Sequence, residues 1–308
     1  MKLTLVSTKY EVRSTRKVSA AAVALVVGTL LVLAAGACGD NRPVTDEQGQ
    51  SRVISLVPAA TEILFAIGAG PDVVAVSSFD RFPPAVEALP RVGALVDPDF
   101  ERILSLRPTL VVVYASQAEL VSRLEAASIE TFPYVHAVEG ALDDIPHMMR
   151  ELGAALDRRD TAETEAARIE RELAELRARA ATRPHPLTAL VFGREPGSLR
   201  GIYASGGVGF LHEILEAAGG RNIFADVARE SVQASAEMML TRRPEVIVEL
   251  RTADPPGGVD GARADWSRLA SIPAVQTGRI HILTDPALSV PGPRIVDAVR
   301  RLQQLLGD

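Results

Sequence analysis

Residues 160–182 read DTAETEAARIERELAELRARAAT. The stretch has no Gly or Pro and is made mostly of Ala, Glu, Arg and Leu, the strongest helix formers. Ala162, Ala166, Ile169, Leu173, Leu176 and Ala180 recur at spacings of four and three, which draws one apolar stripe down a helix. Asp160 with Glu163 reads as a capping box, and Pro184 and Pro186 close the segment. At 1.5 Å per residue such a helix spans roughly 35 Å, the width of a small domain. Strand-helix chain lies on both sides of it, and the two sides resemble each other. The helix therefore reads as a stiff connection between two lobes, and with no Gly or Pro it predicts small interlobe motion.

The chain has 308 residues, 47% of them hydrophobic, and a net charge of −6. That size accommodates two medium domains, and the charge argues against a nucleic-acid partner. The single cysteine, Cys38, excludes an internal disulfide and a cysteine-rich metal site. Arg13, Arg16 and Lys17 precede an apolar run over 18–37, and AGAC (35–38) ends it. Basic, apolar, then small residues before a cysteine is the layout of a bacterial lipoprotein signal, although Ala35 stands where a lipobox usually has Leu. The alternative is an uncleaved transmembrane anchor. Either way the body of the protein is expected outside the cytoplasmic membrane, in the periplasm or at the cell surface; the lipoprotein reading, which leads, anchors it by lipid at Cys38. Residues 39–51 read as a flexible tether.

From residue 52 the chain alternates strand and helix. Expected strands are 52–57, 73–76, 110–114 and 131–135, with helices over 61–67, 97–106, 117–127 and 140–156; Pro146 marks the expected start of the last helix. The pattern restarts after Pro186, with strands over 187–192, 246–250 and 280–283 and helices over 210–218, 235–242, 265–270 and 293–306. Residues 193–209 read as a Gly-rich loop. This implies an α/β fold: two similar Rossmann-like lobes with largely parallel central sheets, an N-terminal lobe over 52–158, a bridging helix over 159–183 and a C-terminal lobe over 184–308.

Two segments occur twice. EILFAIG (62–68) is echoed by EILEAAG (213–219), and ERILSLRP-TLVVV (101–113) by EMMLTRRP-EVIV (237–248), with the same distance from glutamate to proline. Two like lobes place a ligand between them, facing the carboxyl ends of the strands.

These residues resemble the periplasmic substrate-binding proteins of ABC importers for cobalamin, ferric siderophores and haem. The likeness covers about residues 52–306 and rests on RVISLVPAATEIL (52–64), LSLRPTLV (104–111), AAGGRNIF (217–224), RPEVIV (243–248) and PRI (293–295). It implies a helical-backbone fold of two bridged α/β lobes. It also implies a monomer without cofactor or catalysis that hands a metal chelate to a permease dimer. Glu101 and Glu237 fall on the family glutamates, one per lobe, that dock on permease arginines; two like acids suit two like cations on a symmetric partner.

The strand ends nominate Pro58, Ala59, Ser78, Phe79, Arg81, Leu95 and Tyr114 on the first lobe and Arg194, Arg200, Tyr203, Arg251, Asp285 and Arg294 on the second. The chain departs from the cobalamin binders of the family, which line the cleft with several tryptophans: here Trp266 is alone and reads as structural, and Leu95 stands in an aromatic position. The corrinoid leads on overall likeness. The arginines would equally suit a carboxylate or catecholate siderophore or haem propionates. The histidines (His136, His147, His185, His212, His281) show no metal-ligand spacing, which leaves a lone His or Tyr203 as a possible axial haem ligand. A catalytic or metal-cluster protein on the same fold would need an acid, base or ligand constellation that the cleft residues do not offer. No Gly-x-Ser-x-Gly elbow or phosphate-binding Gly-Lys-Ser/Thr is present.

Overall fold

A computed structural model describes residues 51–135, 138–251 and 257–307. The leader, Cys38, His136 and, but for Ser51, the tether lie outside the described residues. The first lobe runs β1 (Val53–Ser55), α1 (Pro58–Ala66), β2 (Val73–Val76), α2 (Phe100–Ser105), β3 (Leu110–Tyr114), α3 (Ala118–Ala126), β4 (Glu130–Tyr134) and α4 (Ala141–Ala155). Helix α5 (Arg159–Ala180) follows. The second lobe runs β5 (Leu187–Gly193), β6 (Ile202–Ser205), α6 (Phe210–Ala217), β7 (Arg221–Asn222), β8 (Ser231–Ala234), α7 (Ala236–Arg242), β9 (Val246–Leu250), α8 (Gly258–Asp265), α9 (Pro273–Gln276), β10 (Ile280–Leu283) and α10 (Ile295–Gly307).

The first sheet has the order β2-β1-β3-β4 and is parallel throughout. In the second lobe β7 pairs with β5, β5 with β9 and β9 with β10, all parallel. The parallel part of the second sheet thus has the order β7-β5-β9-β10, which repeats that of the first. Antiparallel β6 and β8 extend it beside β5. These two strands lie where the sequence reads as loop and helix-free chain; they are short, and β6 follows a Gly-bearing turn (residues 193–201), so neither shows a clear alternation.

Within the strands, odd and even residues face different cores. Leu110 and Val112 of β3 join Val53 and Leu190 in one cluster, while Val111 and Val113 join Ile54 and Ala75 in another. In the second lobe Val246 and Val248 face the first cluster and Ile247 a third, with Ala189 and Val191. Period-two alternation therefore gives each sheet an outer core of its own and an inner face in common. The common core contains Ala162, Ala166, Ile169, Leu173 and Leu176 of the α5 stripe, together with Leu142, Ile145 and Met149 of α4, Ile214 and Leu215 of α6 and Val299 and Leu302 of α10.

The start of α5 differs from expectation. Its N-cap is Arg158 and no side chain caps it. Glu163, expected in a capping box, is taken instead by Arg150 of α4 at 2.6 Å, and the same guanidinium reaches Glu170 at 2.6 Å. Pro146 lies inside α4 rather than at its start. The preceding turn survives because Glu213 accepts the N–H groups of Ala141 and Leu142, at 3.0 Å each, and so satisfies two otherwise orphaned donors. The helix expected from Asp97 starts at Phe100, with Asp99 as its N-cap accepting from the Arg102 N–H at 3.0 Å; Asp97 and Pro98 belong to the tight turn that closes on Gly93.

Helices α4 and α5 approach so closely at Gly153 that a Cβ there would sit 2.3 Å from the Ala162 Cβ. Gly153→Ala is therefore expected to destabilise the protein by about 1–3 kcal/mol through overpacking, although Ala is the better helix former by roughly 1 kcal/mol. Urea unfolding of the variant checks the sign.

Candidate functional site: the facing strand ends of the two lobes

In a parallel lobe the loops after the strands share one edge. On the first lobe these are the turn into α1, the loop from Ser77 after β2, the end of β3 and the chain after β4. The loop after β2 is held from within. Asp80, buried, accepts from the Ser77 N–H at 2.9 Å and from the Ser77 hydroxyl at 2.5 Å. Arg91 donates to the carbonyls of Ser77 and Asp80, at 3.0 Å each. The Ser78 N–H donates to Gly93 O at 2.7 Å, and Gln117 ties Tyr114 N–H to Leu95 O. This frame leaves Phe79 67% exposed, and Phe82, Leu95 and Val96 are exposed beside it.

The Asp80 Oδ1 has no hydrogen-bond partner among the described residues. Burial pushes the Asp80 carboxyl above its ordinary range, against the pull of the neighbouring Ser77 and Thr61 groups and the Arg91 charge. Burial also raises the Tyr114 hydroxyl, with the nearby Asp80 charge adding to it. Tyr114 meets Tyr134 edge to face at 6.4 Å.

The second lobe contributes Phe192 and Tyr203. Because β6 is antiparallel, its beginning lies beside the end of β5, and Gly193 pairs with Tyr203. Both rings are exposed and their centroids are 6.4 Å apart.

The candidate arginines divide sharply. Arg194 is fully buried; it pairs with Glu249 at 3.0 Å and Asp265 at 2.8 Å and donates to Ala262 O. Arg251 pairs with the other oxygen of Glu249, and the Trp266 Nε1–H donates to Glu249 at 2.8 Å. One buried carboxylate thus organises both arginines and the tryptophan, so Arg194 and Arg251 have structural partners. Arg294 is bound across the lobes by Glu62, through Nη2 at 2.5 Å and Nε at 3.0 Å, and its guanidinium lies 4.1 Å from the Phe82 ring centroid. Arg200 is exposed and pairs with Glu195 at 3.1 Å. Arg81 donates to Ser78 O and Asp80 O, at 2.9 Å each, and has no carboxylate partner among the described residues. Asp285 accepts from the Ala287 N–H at 2.9 Å, a local cap. Pro58 opens α1 and Ala59 is buried beneath it.

Sequence reasoning missed Phe82 and Phe192. Phe82 lies in the loop after β2, next to the nominated Arg81. Phe192 ended an apolar strand, where its exposure could not be read. Among the described residues no cluster of His, Cys, Asp and Glu is placed to hold a metal ion, and no helix is long and apolar enough to cross a membrane. A cavity of about 620 Å³ lined by Arg183, Pro186, Arg279 and Gln303 contains none of the nominated residues.

Glu101 and Glu237 stand in the same local frame. Each is exposed, two residues past an N-cap, Asp99 in one case and Ser235 in the other. Each helix ends at an arginine with positive φ, Arg107 (47°) or Arg243 (50°), before a proline and a buried strand. A helix that feeds a parallel strand has its N-terminus at the carboxyl edge of the sheet, so both glutamates lie toward the edge that carries the aromatic residues.

Two like lobes joined through one helix and a common core, each with exposed aromatic residues near its strand ends, define a two-lobe solute-binding protein. The periplasmic binding protein family matches residues 53–287, and the chain belongs to that family. A vitamin B12-binding protein of Vibrio parahaemolyticus is 29% identical over 261 residues, which cover 84% of this chain and 88% of the relative. Among solved structures, the periplasmic vitamin B12-binding protein BtuF of Vibrio cholerae superposes with a TM-score of 0.69 at 27% identity, covering 83% of this chain and 96% of that one. The periplasmic haem-binding protein RhuT of Roseiflexus sp. RS-1, in apo form, gives 0.73 at 29%, covering 84% and 99%. The relatives are binding proteins, and this chain is a binding protein rather than an enzyme, located outside the cytoplasm.

The raised Asp80 carboxyl has a signed consequence. Between 3.8, its ordinary pKa, and its folded value, the native state holds a proton that the unfolded chain releases, so this contribution to stability is greatest in acid and is lost as pH rises. Asp80→Asn keeps an acceptor for Ser77 and removes the charge. The stability of the variant relative to the parent is expected to rise with pH across that window in urea titrations; a pH-independent difference would show that burial does not hold this charge at a cost.

Proposed function

We propose that the protein is the extracytoplasmic, lipid-anchored binding component of an ABC importer and captures a corrinoid-like metal chelate between its lobes. The observation that carries the ligand reading is the neutralisation of the nominated arginines. Arg194, Arg251 and Arg294 are held by buried carboxylates and Arg200 by an exposed one, while the large apolar side chains Phe79, Phe82, Leu95, Val96, Phe192 and Tyr203 are exposed near the strand ends. A large ligand with apolar faces and an uncharged amide rim fits that balance better than a ligand that presents several carboxylates. The vitamin B12-binding relatives support the same reading. Arg81 remains as a cation without a carboxylate partner among the described residues, enough for one phosphate or carboxylate on the ligand.

Isothermal titration with cyanocobalamin, haemin and a ferric hydroxamate is expected to show tightest binding for cyanocobalamin. Phe79→Ala and Phe192→Ala should each weaken it about tenfold, roughly 1.4 kcal/mol. Tight haemin binding with a Soret shift that Tyr203→Phe removes, and no cyanocobalamin binding, would replace the corrinoid by haem.

Glu101 and Glu237 serve in this reading as the paired contacts to a permease dimer, and Cys38 as the site of lipid attachment. Reversing both glutamates to arginine should abolish uptake and leave ligand affinity unchanged, since exposed charges outside the binding surface affect encounter with the partner alone. Normal uptake by that variant would remove the docking role.

A further inference from the structure

The glutamates that open the first repeated segment, Glu62 and Glu213, have the same task in opposite directions. Glu62 lies on α1 of the first lobe, and its carboxylate accepts both fork donors of Arg294, the residue before α10 of the second lobe. It is packed so tightly there that a Cβ on Gly292 would sit 2.9 Å from Oε2. Glu213 lies on α6 of the second lobe, and its oxygens accept the Ala141 and Leu142 N–H groups in the first turn of α4 of the first lobe, at 3.0 Å each.

Helices α4 and α10 are themselves counterparts. Each is the last helix of its lobe, after the outermost strand of the repeated parallel order, β4 or β10. The helices that carry the glutamates are counterparts too, and each ends at a glycine with positive φ, Gly68 (82°) or Gly219 (93°). So each repeat sends the same residue across the interface to the start of the same helix of the other repeat. Neither carboxylate makes a hydrogen bond inside its own lobe among the described residues. Both contacts are charge-assisted and two-pronged, which makes them directional in a way that the apolar core between the lobes is not.

We propose that Glu62 and Glu213 are reciprocal positioning residues that set the separation and angle of the two lobes, and so the gap offered to the ligand. The common core supplies attraction without direction; the two crossed carboxylates select one placement. Each has its partner in the opposite lobe, so any relative rotation of the lobes that does not pivot on the line through both contacts strains at least one of them. The inference does not rest on the ligand's identity.

The test uses ligand-free full-length protein with Cys38→Ser and nitroxides at exposed Glu125→Cys on α3 and Gln276→Cys on α9, read by pulsed dipolar spectroscopy. The parent should give one narrow interlobe distance. Glu62→Gln and Glu213→Gln should each broaden it, and the double variant should broaden it further and shift it, with unchanged far-ultraviolet dichroism. A parent-like distribution in the double variant overturns the proposal. Should the double variant fail to fold, Arg294→Lys keeps the charge and loses the fork. It should broaden the distance as Glu62→Gln does, and a parent-like distribution there is equally fatal. Hydrogen exchange gives a local readout: Glu213→Ala, which removes both acceptors, should release the Ala141 and Leu142 amides while β3 and β9 stay protected, and unchanged exchange at those amides overturns the reciprocal role. A failure of cyanocobalamin to bind leaves all of these measurements intact.

Discussion

The inner faces of two parallel sheets cannot remain in water, and in this protein they are buried against the same layer of helices. The stripe of α5, with α4, α6 and α10, closes over Val53 and Leu110 of one sheet and Leu190 and Val248 of the other in a single apolar cluster. The lobes are therefore not beads on a helical string; they share a core. At roughly 25 cal/mol for each Å² of apolar surface removed from water, such a layer binds the halves firmly but gives little guidance on their relative angle. Direction comes from polar contacts at its margin, Glu62 with Arg294 and Glu213 with the start of α4. The Tyr134 hydroxyl adds a longer approach to Pro291 O at 3.5 Å.

Burying Glu62 has a cost that its geometry offsets. Its side chain is nearly inaccessible, and burial pushes its carboxyl above the ordinary range although Arg294 pulls the other way. An isolated carboxylate in that position would be strongly unfavourable; a two-pronged guanidinium stacked on Phe82 makes it tolerable. The same logic governs Glu249, which satisfies Arg194, Arg251 and Trp266 together inside the second lobe. Both carboxylates remove positive charge from the neighbourhood of the strand ends. The chemistry presented to a ligand is therefore set as much by acidic residues behind the surface as by the aromatic residues on it.

The duplication extends from sequence to local structure. The Glu-to-Pro segment is a helix, a left-handed arginine and a buried strand in both lobes, and it carries an exposed glutamate at the same turn of each helix. The neighbouring Glu-Ile-Leu segment carries the glutamate that crosses the interface. One repeat thus encodes an outward-facing and an inward-facing acid. The second lobe departs from the first mainly by inserting β6 and β8, which bring Tyr203 and Phe192 together at its edge.

The bridging helix, its buried stripe, the strand-helix alternation and the likeness of the lobes were legible in the sequence, because periodicity, helix propensity and the repeats are local properties. The short strands β6 to β8 were not, since their pairing depends on neighbours distant in the chain. The nominated strand ends Phe79, Leu95 and Tyr203 proved exposed, whereas Arg194, Arg251 and Arg294 were bound by carboxylates. An arginine at a strand end looks the same in sequence whether it faces solvent or a buried acid 55 residues away, as Arg194 does. Sequence alone determined the two-lobe architecture, because burial patterns of 3.6 and 2 residues leave few ways to close a core. Only the tertiary structure decided which charges cancel and how the lobes are locked, because ion pairing depends on distances between residues that the chain order does not bring together.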